Sequence, residues 1–151
     1  RFHASSNEAI SSSSAYRMLD MMKEVINHGT GYRLRGRYGM TAEIAGKTGT
    51  TQMNSDGWFM GIVPRLVSGC WVGGENRNIH FNSTAMGQGA SMALPIWALY
   101  MKKVYNDRSL GYSQSETFSI PPDFNMCNDS LLFATDSLMI DNGEFTEIQE
   151  W

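Results

Sequence analysis

The stretch that organises this chain is residues 43–73, EIAGKTGTTQMNSDGWFMGIVPRLVSGCWVG. Turn-forming residues divide it into three short segments, 43–51, 58–63 and 66–72, and aromatic and β-branched residues fill the second and third. The connections hold only six residues (52–57) and two residues (64–65), which is too short for a crossover, so neighbouring strands must run antiparallel. The sequence therefore predicts a three-stranded antiparallel meander.

Helical patterns lie on both sides of this meander. Before it, the serines at 11–14 precede apolar residues that recur every three or four positions up to Asn27, which predicts a serine-capped amphipathic helix. Gly29 is expected to close this helix in a left-handed conformation. After the meander, residues 93–105 repeat the pattern with Pro95 in the first turn. The sequence predicts the α+β class, with helices flanking the sheet and loops at 29–42 and 73–90.

Charge divides the chain into two parts. The net charge is −3, but residues 107–151 carry nine acids and one base, whereas residues 1–106 carry a net charge of +5. We expect residues 1–106 to form the folded body and residues 107–151 an acidic, partly disordered extension. The body has no run of Lys and Arg, so a nucleic-acid partner is not expected and an anionic small ligand fits better.

Composition also bears on metals and membranes. Cys70 and Cys127 form no C-x-x-C motif and the three histidines lack ligand spacing, so neither a metal nor another cofactor is expected. No apolar run approaches the roughly 20 residues that span a bilayer. The chain opens at Arg1 without a Met or a basic and apolar leader, and we expect it to be a piece of a longer protein.

The residues best suited to chemistry are Lys47, Thr48, Gly49 and Thr50. One interpretation is a phosphate-binding loop, because Gly46-Lys47-Thr48 matches the end of G-x-x-x-x-G-K-[ST]. Position 41 of that motif would have to be glycine and is Thr41, and a turn follows where the motif needs a helix. The phosphate-loop interpretation is therefore disfavoured.

A second interpretation places the same four residues on an edge strand. Thr48 and Thr50 are two apart and share a face, while Gly49 lets a ligand approach the backbone closely. An edge strand can bind an extended peptide through main-chain hydrogen bonds while Lys47 and the two threonines bind its carboxylate. The alternative is an ordinary strand with an exposed lysine.

The wider context resembles a known family. Lys-Thr-Gly is a signature of the penicillin-recognising serine acyl-transferases. Together with residues 56–61, 69–73 and 87–90 it resembles the C-terminal half of the transpeptidase domain of class A (bifunctional) penicillin-binding proteins, over about residues 14–105. The resemblance implies the C-terminal part of a β-lactamase/transpeptidase-like fold, in which the three strands are the last three of five.

The resemblance also implies roles for individual residues. Lys47 would supply positive charge and join a proton network, Thr48 and Thr50 would donate hydroxyl hydrogen bonds to a carboxylate, and Gly49 would lie beside the ligand. The backbone N–H of Thr50 would form half of an oxyanion hole. The implied partners are the D-Ala-D-Ala stem peptide of peptidoglycan, β-lactams and the rest of the transpeptidase domain. The implied place is the bacterial cell envelope, outside the inner membrane, with attachment only through an N-terminal anchor that precedes a glycosyltransferase domain.

The chain departs from the family pattern in one important respect. The nucleophile requires S-x-x-K, but the residues three positions before the four lysines are Asp20, Ile44, Leu99 and Tyr100. An S-x-N match at residues 5–7 lies only some 40 residues before Lys47, and we interpret it as coincidence. The chain is therefore expected to be inactive by itself. A non-catalytic peptide-binding or structural module remains the alternative.

Overall fold

The computed structural model describes residues 9–124, which form a three-stranded sheet flanked by helices. In chain order the elements are α1 (Ser12–Asn27), α2 (Arg33–Gly36), β1 (Ala45–Thr50), β2 (Asp56–Val63), β3 (Leu66–Gly73), α3 (Thr84–Gly87) and α4 (Gly89–Asn106). Both strand pairings are antiparallel, in the order β1-β2-β3. The predicted α+β class and the three-stranded meander are confirmed.

The chain divides into two units, Arg1–Pro121 and Pro122–Trp151. All seven elements lie in the first unit, which also holds the first part of the predicted acidic extension, residues 107–121. Residues 125–151 lie outside the described part, so the disorder expected for them stays a prediction. None of the helices in residues 9–124 is long and apolar enough to cross a bilayer.

Helix α1 begins as predicted and ends differently. The Ser11 hydroxyl accepts the N–H of Ser14 at 3.2 Å and caps the first turn. At the other end the prediction for Gly29 is wrong, because among the described glycines only Gly39 and Gly111 have positive φ. A Cβ at Gly29 would lie 2.9 Å from the carbonyl oxygen of Val25. Close packing against α1, rather than a left-handed turn, explains this glycine.

The sheet has one face covered by helices and one exposed face. Every second residue of β2 from Gly57 to Val63 is buried, Phe59 among them, whereas Trp58 and Met60 on either side of Phe59 are exposed. On the covered side the Trp97 ring of α4 meets Phe59 edge-on, with 5.0 Å between the ring centroids. The indole N–H of Trp97 donates to the Ser68 hydroxyl at 2.8 Å. The core therefore lies between the sheet and helices α1 and α4.

Helix α4 begins four residues earlier than predicted, at Gly89 instead of residue 93. Pro95 consequently lies in the second turn, where it leaves the carbonyl of Ser91 without its usual helical donor. Short helices α2 and α3 also interrupt the two predicted loops. The earlier start brings the first residue of α4 against β1. A Cβ at Gly89 would overlap the backbone oxygens of Gly49 and Trp58, so only glycine allows this approach.

Residues 107–121 are tied to the rest of the first unit by three sets of polar contacts. Glu116 accepts two hydrogen bonds from the Arg65 guanidinium, at 2.9 and 2.6 Å. The side-chain oxygen of Gln114 accepts the N–H of Thr41 at 2.9 Å. The N–H of Phe118 donates to Glu43 at 2.7 Å. We call residues 107–121 the strap.

Candidate functional site: the open edge of β1

Lys47, Thr48, Gly49 and Thr50 all lie on β1, at the edge of the sheet. Only β2 pairs with β1 in the described part of the chain, with Lys47 opposite Met60 and Thr48 opposite Phe59. After β1 the chain enters a single 3-10 turn and then β2. The phosphate-loop interpretation is therefore wrong, because no α-helix begins after the Lys-Thr pair to point its N–H groups at a phosphate.

The hydrogen-bond ladder determines which backbone groups of β1 point outward. The N–H of Thr51 donates to the carbonyl of Asp56 at 3.1 Å, so Thr51 points toward β2. The backbone N–H and C=O groups of every second residue in a strand point the same way. Those of Thr48 and Thr50 therefore point away from β2, toward the open edge. The Thr48 carbonyl accepts a hydrogen bond from the ammonium group of Lys47 at 2.7 Å. The N–H of Thr50 points out of the same edge, beside these groups.

The three side chains of this segment, those of Lys47, Thr48 and Thr50, divide between the two faces. Lys47 stands on the exposed face, beside Met60, and its own side chain is exposed. Thr48 and Thr50 stand on the helix-covered face, opposite Phe59 and Gly57. The hydrogen bond from Lys47 to the Thr48 carbonyl returns the ammonium group to the edge. A cation and two hydroxyl-bearing residues therefore share one open strand edge.

The hydroxyl of Thr50 is contacted by α4, which covers this face of the sheet. Its oxygen accepts the N–H of Gly89, the first residue of α4, at 3.0 Å. A hydroxyl has one proton and two lone pairs, so Thr50 keeps its proton for another acceptor while it accepts from Gly89. The N–H groups at a helix N-terminus carry partial positive charge, which favours an anion nearby.

The hydroxyl of Thr48 is contacted by the loop after α1. Its oxygen lies 2.8 Å from the hydroxyl oxygen of Thr30. Sequence reasoning missed both Thr30 and Gly89 as parts of the site, since they lie 18 and 39 residues from their partners. The available signal was the glycine on either side of Thr30 and the glycine at 89 itself, which mark places of close backbone approach.

Other candidate features of the described residues lie elsewhere. Two adjoining grooves share Val72, Phe81 and Met92, and neither is lined by residues 47–50. Burial raises the pKa of the Cys70 thiol, which packs against the core and stays protonated at neutral pH. Within residues 9–124 no three His, Cys, Asp or Glu side chains are placed to hold a metal ion.

Comparison with protein families places this edge in a known domain. Residues 3–70, which include β1 and β2, match the family model described as the penicillin binding protein transpeptidase domain. This chain carries part of a penicillin-binding protein transpeptidase domain. The matched residues include Lys47, Thr48 and Gly49 of β1.

Individual relatives agree with the family match. Penicillin-binding protein 1A of Pseudomonas aeruginosa is 34% identical over 116 residues, which cover 75% of this chain and 12% of the relative. The protein of the same name from Aquifex aeolicus is 35% identical over 108 residues, covering 70% of this chain and 13% of the relative. That of Neisseria meningitidis is 37% identical over 95 residues, covering 63% and 11%. The chain thus spans little more than a tenth of the length of these penicillin-binding proteins.

A solved structure supports the fold as well. The crystal structure of penicillin-binding protein 1A from Haemophilus influenzae superposes with a TM-score of 0.62 at 26% sequence identity. The superposition covers 75% of this chain and 17% of that one. The sheet and helices described above therefore have the arrangement of a penicillin-binding protein transpeptidase domain.

Proposed function

We propose that this chain is the substrate-clamping part of a peptidoglycan D,D-transpeptidase. The observation that carries the proposal is the open edge of β1, where the Lys47 ammonium group, the Thr48 and Thr50 side chains and the outward N–H of Thr50 lie together. A terminal carboxylate is the anion that such a set of donors suits, since hydrogen bonds to a charged acceptor are the strong ones. The ligand is the D-Ala-D-Ala end of a stem peptide, or a β-lactam.

We call the residues at this edge the clamp: Lys47, Thr48, Gly49 and Thr50. Each of them has its own role. Lys47 supplies the positive charge that draws the carboxylate to the strand, and the two threonine hydroxyls donate to its oxygens. Gly49 leaves the backbone open to the peptide, which lies along the edge as an added strand. The N–H of Thr50 is one of two donors that stabilise the oxyanion formed at the reacting carbonyl, and the loss of one such donor costs on the order of 10²–10³ in rate.

The chemical step needs a nucleophile from outside this chain. A serine attacks the carbonyl of the penultimate D-alanine and expels the terminal D-alanine, and the acyl-enzyme is then attacked by an amine of a neighbouring peptide, which frees the serine. No S-x-x-K motif occurs in the 151 residues. The partner that supplies this serine is the rest of a transpeptidase domain, so the chain alone is inactive.

The exposed face of the sheet is the surface that receives this partner. Trp58 and Trp71 stand next to each other on it, 46% and 47% exposed, with their ring centroids 6.4 Å apart. Met60 and Val67 on the same face are also exposed. Contiguous apolar surface of this kind is typical of an interface. Lys47 stands on the same face, so a partner that covers the tryptophans also closes the groove beside Lys47.

The relatives also suggest where in the cell the whole protein works. They carry the name penicillin-binding protein 1A and are several times longer than this chain. We infer that the whole protein works in the bacterial cell envelope, on the outer side of the inner membrane. We also infer that the whole protein carries a membrane anchor and a peptidoglycan glycosyltransferase domain.

Peptide binding tests the clamp. An N-acetylated peptide ending in D-Ala-D-Ala should bind the chain, and the same peptide with an amidated C-terminus should not. Lys47→Ala should weaken binding by about tenfold or more, because a hydrogen bond to a charged group is worth roughly 1.5–3 kcal/mol. Lys102→Ala removes an exposed lysine of α4 and serves as the control. Equal binding of the free-acid and amidated peptides would refute the carboxylate clamp.

Reconstitution separates a transpeptidase part from a non-catalytic peptide-binding module. The transpeptidase domain of the Pseudomonas aeruginosa relative is cut ahead of its 116 matched residues and mixed with this chain. A fluorescent penicillin should label the N-terminal piece only when the chain is present, and the chain itself should stay unlabelled. Lys47-dependent peptide binding without any gain in labelling would favour the non-catalytic module.

A further inference from the structure

The hydrogen bond between Thr30 and Thr48 joins the loop after α1 to β1. The two hydroxyl oxygens are 2.8 Å apart, and Thr30 itself is exposed, so it contributes little to the core. It follows the C-terminal cap of α1, His28, by two residues. Its neighbours on both sides are glycines, Gly29 and Gly31.

The loop holds Thr30 in place because it wraps tightly around the end of α1. The N–H of Gly31 donates to the carbonyl of Val25 at 2.9 Å. A Cβ at Gly31 would lie 2.6 Å from the end of the fully buried Ile26 side chain. Ile26 in turn packs on β1, where a Cβ at Gly46 would lie 3.1 Å from the same methyl group. These contacts set the distance from α1 to β1 and keep Thr30 beside Thr48.

The hydroxyl of each threonine of the clamp has a hydrogen-bond partner outside β1. Thr50 accepts a hydrogen bond from the N–H of Gly89, a group that can only donate, so the Thr50 proton is left for a ligand. The hydroxyl oxygen of Thr30 lies 2.8 Å from that of Thr48, and either hydroxyl can be the donor of this bond. A bond donated by Thr30 leaves the Thr48 proton for the carboxylate, whereas a bond donated by Thr48 would use that proton up.

We propose that Thr30 is a positioning residue of the clamp. Its hydroxyl donates to Thr48, holds the Thr48 side chain in one rotamer and leaves the Thr48 proton directed at the carboxylate of the peptide. This proposal rests on the proposed function, because the carboxylate is the ligand inferred there. Thr30 acts through Thr48 and does not itself touch the peptide.

The first test needs no ligand. Three-bond NMR couplings to the γ-methyl carbon report the χ1 rotamer of Thr48 in the 151-residue chain. Thr30→Val keeps the shape of the side chain and removes the hydroxyl, so the Thr48 couplings should move to rotamer-averaged values. Thr30→Ser keeps the hydroxyl and should retain the wild-type couplings. Unchanged couplings in Thr30→Val, or averaging in both variants, would overturn the proposal.

The second test uses the acetylated D-Ala-D-Ala peptide. Thr30→Val should weaken its binding by about five- to tenfold, while Thr30→Ser should bind within about twofold of wild type. Thr41→Val is the control. The Thr41 hydroxyl also donates a hydrogen bond to a side chain, that of Gln114, but this bond involves no residue of the clamp. If the wild-type chain binds no peptide, the proposed function fails, and the rotamer measurement still decides whether Thr30 positions Thr48. Wild-type affinity in Thr30→Val would refute the role of Thr30.

Discussion

A single hydroxyl at Thr50 ties the N-terminus of α4 to the edge of β1. It accepts the N–H of Gly89, a buried residue whose neighbours leave no room for a side chain. The same hydroxyl keeps a proton for a ligand at the open edge. Thr50 therefore contributes to the stability of the fold and to the clamp through two different atoms of one group, its oxygen and its proton.

Substitution of Thr50 separates these contributions from side-chain shape. Thr50→Val leaves the buried N–H of Gly89 without an acceptor, and an unmade bond of this kind costs about 1–3 kcal/mol. Thr50→Ser keeps the acceptor and should lose less. Urea unfolding of the two variants beside wild type measures the difference. Equal loss in both would show that the methyl group of Thr50, rather than its hydroxyl, matters for stability.

At the scale of elements, the contact between α4 and the sheet depends on a glycine in β2. Gly61 lies beneath Trp97, so close that a Cβ there would overlap the indole ring. Trp97 also packs edge-on against Phe59 and is nearly fully buried. The missing side chain at Gly61 leaves room for the Trp97 ring, whose N–H donates to the Ser68 hydroxyl.

Gly61→Ala should therefore destabilise the chain strongly. Overpacking of a close-packed core costs about 1–3 kcal/mol, since the indole and the strand must move apart. Gly74→Ala is the matched control, because a Cβ there meets Ile79 at an ordinary 3.4 Å. Thermal unfolding by circular dichroism should show a lower Tm for Gly61→Ala and a Tm near wild type for Gly74→Ala. The reverse order would contradict the packing described here.

The strap is a second element whose attachment can be tested. The Arg65 guanidinium bonds both carboxylate oxygens of Glu116 and the carbonyl of Gly111, and it lies over the Tyr112 ring. Hydrogen bonds from Arg65 lower the pKa of Glu116 from its ordinary value of 4.5. A carboxyl whose pKa is lower in the folded than in the unfolded state stabilises the fold at pH values above its ordinary pKa. This stabilisation is lost as the pH falls through the lowered pKa.

Glu116→Gln should thus be less stable than wild type at pH 7, and the difference should shrink as the pH is lowered below 4.5. The free energy of unfolding in urea, measured from pH 7 to pH 3, gives this comparison. Glu75→Gln changes an exposed carboxylate for which the described residues provide no ion pair, so it should have little effect at any pH. A difference between Glu116→Gln and wild type that does not depend on pH would rule out the ion pair as its source.

At the scale of the whole molecule, the two faces of the sheet are unequal. One face is covered by α1 and α4, and the other exposes Trp58 and Trp71. We expect Trp71→Ser to leave the stability of the chain within about 1 kcal/mol, as for other exposed positions, but to reduce penicillin labelling in the reconstitution by about tenfold or more. Leu99→Ser, an exposed apolar residue of α4, is the control. Equal labelling with both variants would place the partner elsewhere.

Much of the fold follows from local patterns. The three strands, the serine cap of α1 and the place of Lys47 to Thr50 on an edge strand could be predicted, because alternation and turn residues act over a few positions. The start of α4 and the conformation of Gly29 could not. Both depend on how closely a helix approaches β1 or the end of α1, and a local pattern carries no information about such distances.

The amino-acid sequence by itself determined the order of the elements and the set of donors on β1, because neighbouring residues decide whether a segment is strand, turn or helix. Only the tertiary structure decided which distant residues form hydrogen bonds with those donors. Thr30 reaches Thr48 across 18 residues and Gly89 reaches Thr50 across 39, while Arg65 fastens the strap through Glu116, 51 residues away. Such partners meet because helices pack on a sheet at distances set by the core.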